Sequence, residues 1–561
     1  MIVNIIQRPE LTETYELQRQ ICIDLNLMIT LSMRAVNLDN LELVEKVKKD
    51  SEKYGYEVML WLDDDEVLFT WLMSIEEKKA YVKKTFDKFK ERFGYMPKTV
   101  GHYILGSDYI KIIKDYCPEV SMVIAGCFEE GVRVFHGCNN SWYLFSEGMS
   151  WTAWYPSKTH SVRPACDEED WSGVVAVPHL SRDLVQAYEG RDDFFASHPA
   201  NVQRGLGNEG AMHVYDYNLI DQYRMQEDYN NVKSNYHIHV ASGWLSNCSN
   251  LIDSDEITQS IYRETLEYIA ELCKKGEAEC MTMNEYCKYY RRTVPIGSQT
   301  AAVAKDIIYD SGKHYFWLMS NGYRVLVDAF QGGSIGDLRP YAGKYEAFTG
   351  LDAEKPLINS YPFIIQSQLR SGVKHHYGDG SRTTLLVTHG GETLDMCFYP
   401  TKVSDVKRTE KTTIVKLTPV TMKFKDGYEI KIQTVYDFGE NDIGIERHIL
   451  EKSDGECELC EYLKGSYGFT EYPEEMRGIT LGVDDKSEKY LYKKQAVRVE
   501  NGKCTYAEIP QITTRVELCT DETDWAEADD GELFIPYYTL KLNRKINKTG
   551  VMKSWLKLKK I

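Results

Sequence analysis

The sequence predicts a mixed α/β plus all-β chain: a distorted (β/α)7 barrel over residues 1–295, followed by a β-sandwich over residues 300–561. Three observations carry this expectation. The first half alternates short β-branched apolar runs with segments of helical period, the pattern of βα units around a parallel sheet. From about Ala301 the apolar period shortens to two. A chain of 561 residues also exceeds what one hydrophobic core organises, and its 43% hydrophobic and 27% charged residues suit two globular domains.

Seven runs read as strands of the first domain: Val3 to Gln7, Leu27 to Met33, Glu57 to Leu62, Thr99 to Leu105, Val120 to Ala125, Gly173 to Val177 and Tyr236 to Ala241. Each is short and bounded by polar or glycine-containing sequence. Between them, Leu41 to Tyr54 places Leu43, Val44 and Val47 on one helical face, and Ile75 to Phe93 does the same with Val82, Phe86, Phe89 and Phe93. Helices near Glu256 to Lys275 and Met283 to Arg292 close the domain before a VPIGSQT linker. The connections from Val120 to Gly173 and from Pro178 to Asn235 are long and rich in Trp, Tyr, His and Gly, as functional loops are. In the second half, HYFWLM, YRVLVDAF, TTLLVTH, TTIVKLTPVTMKF and EIKIQTVYDF read as strands, and the Asp426-Gly427 pair between two of them is a hairpin turn signal.

The formal charge of -18 disfavours nucleic acid and anionic lipid, both of which are bound through clustered Lys and Arg. The 39 Tyr and 10 Trp suit a polyhydroxylated ligand, whose C–H faces stack on rings. No apolar run approaches the roughly twenty residues that span a bilayer, and MIVNIIQRPELTE lacks the layout of a secretory signal. A cytoplasmic protein with no membrane partner is expected, its 14 cysteines mostly reduced and buried. The single CxxC, Cys457 with Cys460, has no second ligand pair and reads as structural.

In a parallel barrel the residues just past the strand C-termini converge on one rim. Those positions hold Arg8 and Glu10, Trp61 and Asp63, His102 and Tyr103, Glu129, His179 and Asp183, and Trp244. The run WLDDDE crowds like charges that raise one another's proton affinity, which suits a general acid, with Asp63 first choice; the competing reading is a solvated loop or helix start. Glycosidic hydrolysis takes two carboxyl groups on opposite sides of the sugar bond, and Asp183, Glu129 or Glu10 is a partner for Asp63. His102, His160 and His179 are alternative acid/base groups or metal ligands, although an isolated histidine is more often structural. In SWTAWYPSKTHSVRP, Trp151, Trp154 and Tyr155 are candidates to stack a sugar, with Lys158, His160 and Arg163 on its hydroxyls, unless the rings only pack the loop. His237 and His239 share a strand face, near the strand's start and away from the rim. No HExxH, P-loop or dinucleotide fingerprint occurs, so no cofactor is expected, with a divalent metal at the rim as the alternative.

The order VNIIQRPEL, LMITLSM, EVMLWLDDD, GYMPKTVGHYILGSDYI, AWYPSKTHSVRP and MTMNEYCKYYRR resembles a family of uncharacterised bacterial proteins related to polysaccharide deacetylases, across roughly the first 290 residues. The resemblance implies a seven-stranded barrel acting on carbohydrate. A barrel followed by a β-sandwich is also similar to the layout of retaining α-mannosidases and of the α-amylase and glucanotransferase family that shares the barrel. That layout implies a galactose-mutarotase-like or accessory second domain. The chain has neither a TFDDG-like strand end nor an HxxxH pair, and it carries Gly106 where the closer relatives are expected to have an acid, with Asp108 two residues on. The function expected is a glycoside hydrolase acting on an oligosaccharide or glycoside, with a metal-dependent deacetylase or a non-catalytic sugar-binding protein as alternatives.

Overall fold

The computed structural model describes residues 1–62, 73–128, 150–188, 196–199, 212–230, 232–246, 255–341, 363–366, 381–409, 411–466, 478–490, 496–530 and 537–561. The chain divides into two compact units, the first principally Met1–Gly297 and the second Ser298–Phe348 with Ala353–Ile561. No helix among the described residues is long and apolar enough to cross a membrane.

The first unit is built on β1 (Ile2–Arg8), β2 (Ile29–Arg34), β3 (Glu57–Trp61), β4 (Thr99–Ile104), β5 (Met122–Cys127), β6 (Val175–Pro178) and β7 (Asn235–Ala241). All seven pair in parallel, in the order β6-β5-β4-β3-β2-β1-β7. A short β8 (Glu279–Cys280) adds to the N-terminal end of β1. The α-helices of five residues or more among the described residues are α1 (Glu13–Asp24), α2 (Leu41–Tyr54), α3 (Ile75–Phe93), α4 (Ser107–Tyr116), α5 (Leu184–Tyr188), α6 (Met212–Arg224), α7 (Asp255–Lys274) and α8 (Met283–Thr293), with a single turn at Glu227–Asn230 between α6 and β7. Each predicted strand is present.

The expected closed barrel is instead a half-barrel, because β6 and β7 share no ladder among the described residues. β6 is only four residues long and ends at Pro178, which has no N–H to give a ladder. The seam is bridged by other bonds: the His237 N–H donates to Ser181 Oγ at 2.9 Å, and Ser197 Oγ donates to the His237 carbonyl at 2.6 Å.

Alternate residues of the strands fill the interior. Ile2 and Ile6 of β1, Met59 and Trp61 of β3, Met122 and Ile124 of β5, and Val175 and Val177 of β6 form one buried cluster, closed by Met283, Tyr286 and Tyr290 of α8. The helices dock by the stripes read from sequence: Leu43, Val44 and Val47 on α2, and Val82, Phe86, Phe89 and Phe93 on α3. Asn40 caps α2, Ser74 and Glu77 form a capping box on α3, and Thr282 and Glu285 do so on α8.

The second unit is β-rich, with antiparallel sheets of five, six and ten strands among the described residues. Glu429–Phe438 alternates buried and partly exposed residues along its length, the period of two expected from sequence. The Asp426-Gly427 turn joins Val420–Lys423 to that strand, with Gly427 in the left-handed region at φ +88°. Arg447 and Glu461 make a buried two-point ion pair at 2.7 and 3.0 Å. Cys504 and Cys519 face each other on paired strands and are disulfide-bonded, whereas the other described cysteines are free and most of them buried. Cys457 and Cys460 lie three apart on a strand, so they point to opposite faces and hold no joint ligand; this agrees with a structural role.

Candidate functional site

The C-terminal mouth of the parallel sheet carries a cluster whose members come from β1, β3, β4, β7 and the segment after β6. Arg8 is the last residue of β1 and follows Ile2 and Ile6 on the inward face. Its guanidinium carbon lies 4.8 Å from the Trp61 ring centroid and 5.5 Å from that of Tyr103. Arg8 Nη2 donates to Tyr103 Oη at 3.1 Å, and Arg8 Nε donates to His239 Nε2 at 3.4 Å. A cation held between two desolvated rings gains roughly 1–2 kcal/mol from each face.

His239 and His179 stand with ring centroids 4.6 Å apart, and Trp61 lies 4.8 Å from the first and 5.6 Å from the second. Burial, then the Arg8 charge for His179 and the His179 ring for His239, pushes both imidazoles well below the ordinary histidine value, so both are neutral. Because His239 Nε2 accepts from Arg8, its proton is assigned to Nδ1, which has no hydrogen-bond partner among the described residues. These groups open on a small cleft of about 20 Å³ lined by Arg8, Tyr103, His179, His198, His239 and Trp244, with Leu180 and Ala241. His198 packs edge-on to Trp244 at 5.2 Å. The lining offers aromatic faces, one guanidinium and neutral imidazoles; no carboxylate is among the described residues that form it.

Of the residues singled out from sequence, Arg8, Trp61, Tyr103, His179 and Trp244 meet at this mouth. Asp63 and Glu129 lie outside the described residues. Asp183 is fully buried, and its carboxylate accepts from the Val185 and Gln186 N–H groups at 2.9 and 3.1 Å, capping α5, and from Tyr215 Oη at 3.3 Å. Glu10 accepts from Ser242 Oγ beside the end of β7. His102 is buried with Nδ1 bonded to the Ile104 backbone, and burial pushes its pKa down to about 4. Asp108 sits in the first turn of α4 and pairs with Lys78, so it does not take the place of an acid at Gly106, which is the N-cap of that helix.

The aromatic loop is built differently from the expected sugar platform. Trp154 and Tyr155 are 2% and 5% exposed: Trp154 bridges to Ala176 on the edge of β6, and the Tyr155 ring joins the core with its hydroxyl on the Val294 carbonyl at 2.8 Å. Arg163 is engaged by Asp170 at 2.8 Å, Lys158 donates to the Glu169 carbonyl at 2.6 Å, and His160 is buried, its pKa pushed down to about 3. These residues line none of the cleft described above, because the loop folds inward against β6 and α8.

His239 is the residue that sequence reading misplaced. It pairs with Ile6 in register, two residues before the strand ends, and so faces inward near the mouth rather than near the strand's start. Tyr103, read from sequence at the end of the fourth strand, and His198 complete the lining; His198 lies in a long connection with no periodicity to place it.

No family model matches the chain, and no curated protein matches it. Solved structures give distant likenesses. The 4-alpha-glucanotransferase from Thermococcus litoralis is 9% identical over all of both chains, with a TM-score of 0.31. A galactose mutarotase-like protein from Clostridium acetobutylicum is 10% identical, covering 47% of this chain and 99% of its own, with a TM-score of 0.33. Another, from Lactobacillus casei, is 10% identical over 44% of this chain and 99% of its own, at 0.28. Likenesses this weak transfer neither fold nor chemistry.

Proposed function

We propose that the first unit is a carbohydrate-active domain that binds an oligosaccharide or glycoside at the strand-end mouth of its seven-stranded parallel half-barrel, with the second unit an accessory β-sandwich. The observation that carries this reading is the presence of Tyr103 and Trp244 on one cleft with Arg8 and two neutral imidazoles, over the buried Trp61 ring. Rings of this kind stack on the C–H face of a sugar, and Arg8 with the His239 Nδ1–H supplies donors for its oxygens. Glycosidic cleavage at such a mouth takes a proton donor and an opposing carboxylate. Asp63, two residues beyond Trp61 in the chain, is the proposed acid, and Glu129 or Glu10 is the proposed partner; Asp183 is less suited because its carboxylate already caps α5. The test is turnover of a panel of aryl glycosides and oligosaccharides: Asp63→Asn is expected to remove at least about 99% of any activity found, and unchanged turnover would refute the assignment.

A second reading is favoured by the closeness of His179 and His239, since adjacent neutral imidazoles are the commonest protein ligands for a divalent metal in a deacetylase-type site. Against it stands the Arg8 guanidinium on His239 Nε2, a fixed positive charge where a cation would sit. Stoichiometric zinc, nickel, cobalt or iron in the purified protein, lost in His239→Ala, would favour the metal reading over the hydrolase.

A further inference from the structure

The last turn of α7 and strand β8 bring two cysteines together at the end of the sheet opposite the mouth. Gly276, in the left-handed region at φ +74°, reverses the chain after the helix, and the N–H groups of Glu277 and Ala278 both donate to the Leu272 carbonyl at 2.9 and 3.2 Å. The returning segment is then fixed by pairing of Glu279 and Cys280 with Ile2 and Val3 of β1. Cys273 and Cys280 are thus held with their sulfurs 3.8 Å apart, and both are partly exposed. A disulfide needs about 2.05 Å, so the sulfurs have to approach by about 1.8 Å to form the bond.

We infer that Cys273 and Cys280 are a redox-active dithiol, converted to an intramolecular disulfide by low-molecular-weight disulfides. The two thiols are not equivalent. The hydrogen bond from Cys280 lowers the Cys273 thiol to about 7, and the same contact, together with burial, raises Cys280. Cys273 is the attacking sulfur: its thiolate bonds to one sulfur of R–S–S–R, the R–S–S–R bond breaks and RS⁻ leaves. Cys280 then loses its proton to the departing thiolate or to water, attacks Cys273 Sγ in the mixed disulfide and expels the second RS⁻. Two protein thiols are oxidised, one small disulfide is reduced to two thiols, and no other reactant is consumed. Cys22 lies nearby, but it is fully buried, bonded by Gln7 and pushed up to about 12, so it takes no part.

The experiment is incubation of the full chain with oxidised glutathione, followed by non-reducing peptide mapping. The exposed Cys166 serves as an internal measure of exposure to the reagent. The wild type is expected to yield a linked Cys273–Cys280 peptide about 2 Da lighter than its dithiol form, while Cys166 accumulates the glutathione adduct. Cys280→Ser is expected to trap glutathione on Cys273, and Cys273→Ser to modify Cys280 at least about tenfold more slowly. Absence of the linked peptide in the wild type once Cys166 is fully modified would overturn the inference, as would a Cys280 in Cys273→Ser that reacts as fast as Cys273 in Cys280→Ser.

Discussion

Replacing Gly101 by alanine tests whether the mouth depends on one ring. Gly101 lies on β4 directly against β3, where it pairs with Trp61. A Cβ added there would fall 2.0 and 2.3 Å from Cε3 and Cζ3 of Trp61 and 2.9 Å from Cε of Met59. Carbon–carbon contacts settle near about 3.5 Å, so the indole has to retreat by about 1.5 Å. Trp61 is 0% exposed and already packs on Arg8, Tyr103, His179 and His239, which leaves it no slack. Overpacking of this kind costs about 1–3 kcal/mol. Urea unfolding followed by tryptophan fluorescence reads the cost, and Gly243→Ala is the control, because a Cβ at Gly243 meets nothing within 4 Å. The expected result is a lower midpoint for Gly101→Ala alone. Equal midpoints for the two variants would refute the argument that β4 was left without a side chain to seat Trp61.

Two further outcomes follow from buried charge. His102 and His237 are held down to about 4 and His160 to about 3 by burial, all below the ordinary 6.5; the unfolded chain therefore takes up protons first on acidification, and stability that is full above pH 6.5 falls between 6.5 and about 4, by up to about 3 kcal/mol per histidine. Urea midpoints at pH 7.5 and pH 5 measure this, and His102→Gln is expected to remove about a third of the three histidines' combined difference; a midpoint independent of pH would contradict it. In the second unit, Arg447→Met or Glu461→Leu alone strands a buried charge and is expected to cost about 3–5 kcal/mol, whereas the double variant recovers most of the loss. Additive losses in thermal unfolding of the double variant would show that the pair is not coupled.

The parallel sheet was legible in the sequence because each strand is a short apolar run between polar boundaries, and the stripes of α2 and α3 because Leu43, Val47, Val82 and Phe89 recur at helical spacing. Closure was not legible. It depends on a hydrogen-bond partner for β6, and the effect of Pro178 and the bridging by Ser181 and Ser197 are tertiary facts. The site was half legible: rim logic found Arg8, Trp61, Tyr103, His179 and Trp244, while His239, in a strand whose end at Ala241 was read correctly, was assigned to the start of that strand although it lies two residues from its end. Trp154 and Tyr155 show the converse failure. An aromatic-rich loop has the same composition whether its rings face a ligand or, as here, fill the core beside β6 and α8.

The central claim is that ligand enters the mouth around Arg8 and His239. It is tested most directly by imidazole NMR of histidine-labelled protein titrated with neutral, amino and uronic-acid oligosaccharides. The account predicts that the sugar that binds shifts the His179 and His239 resonances, leaves those of His314, His389 and His448 in place, and binds at least about tenfold more weakly to Arg8→Ala. Binding of undiminished strength to Arg8→Ala, with shifts confined to the histidines of the second unit, would contradict it.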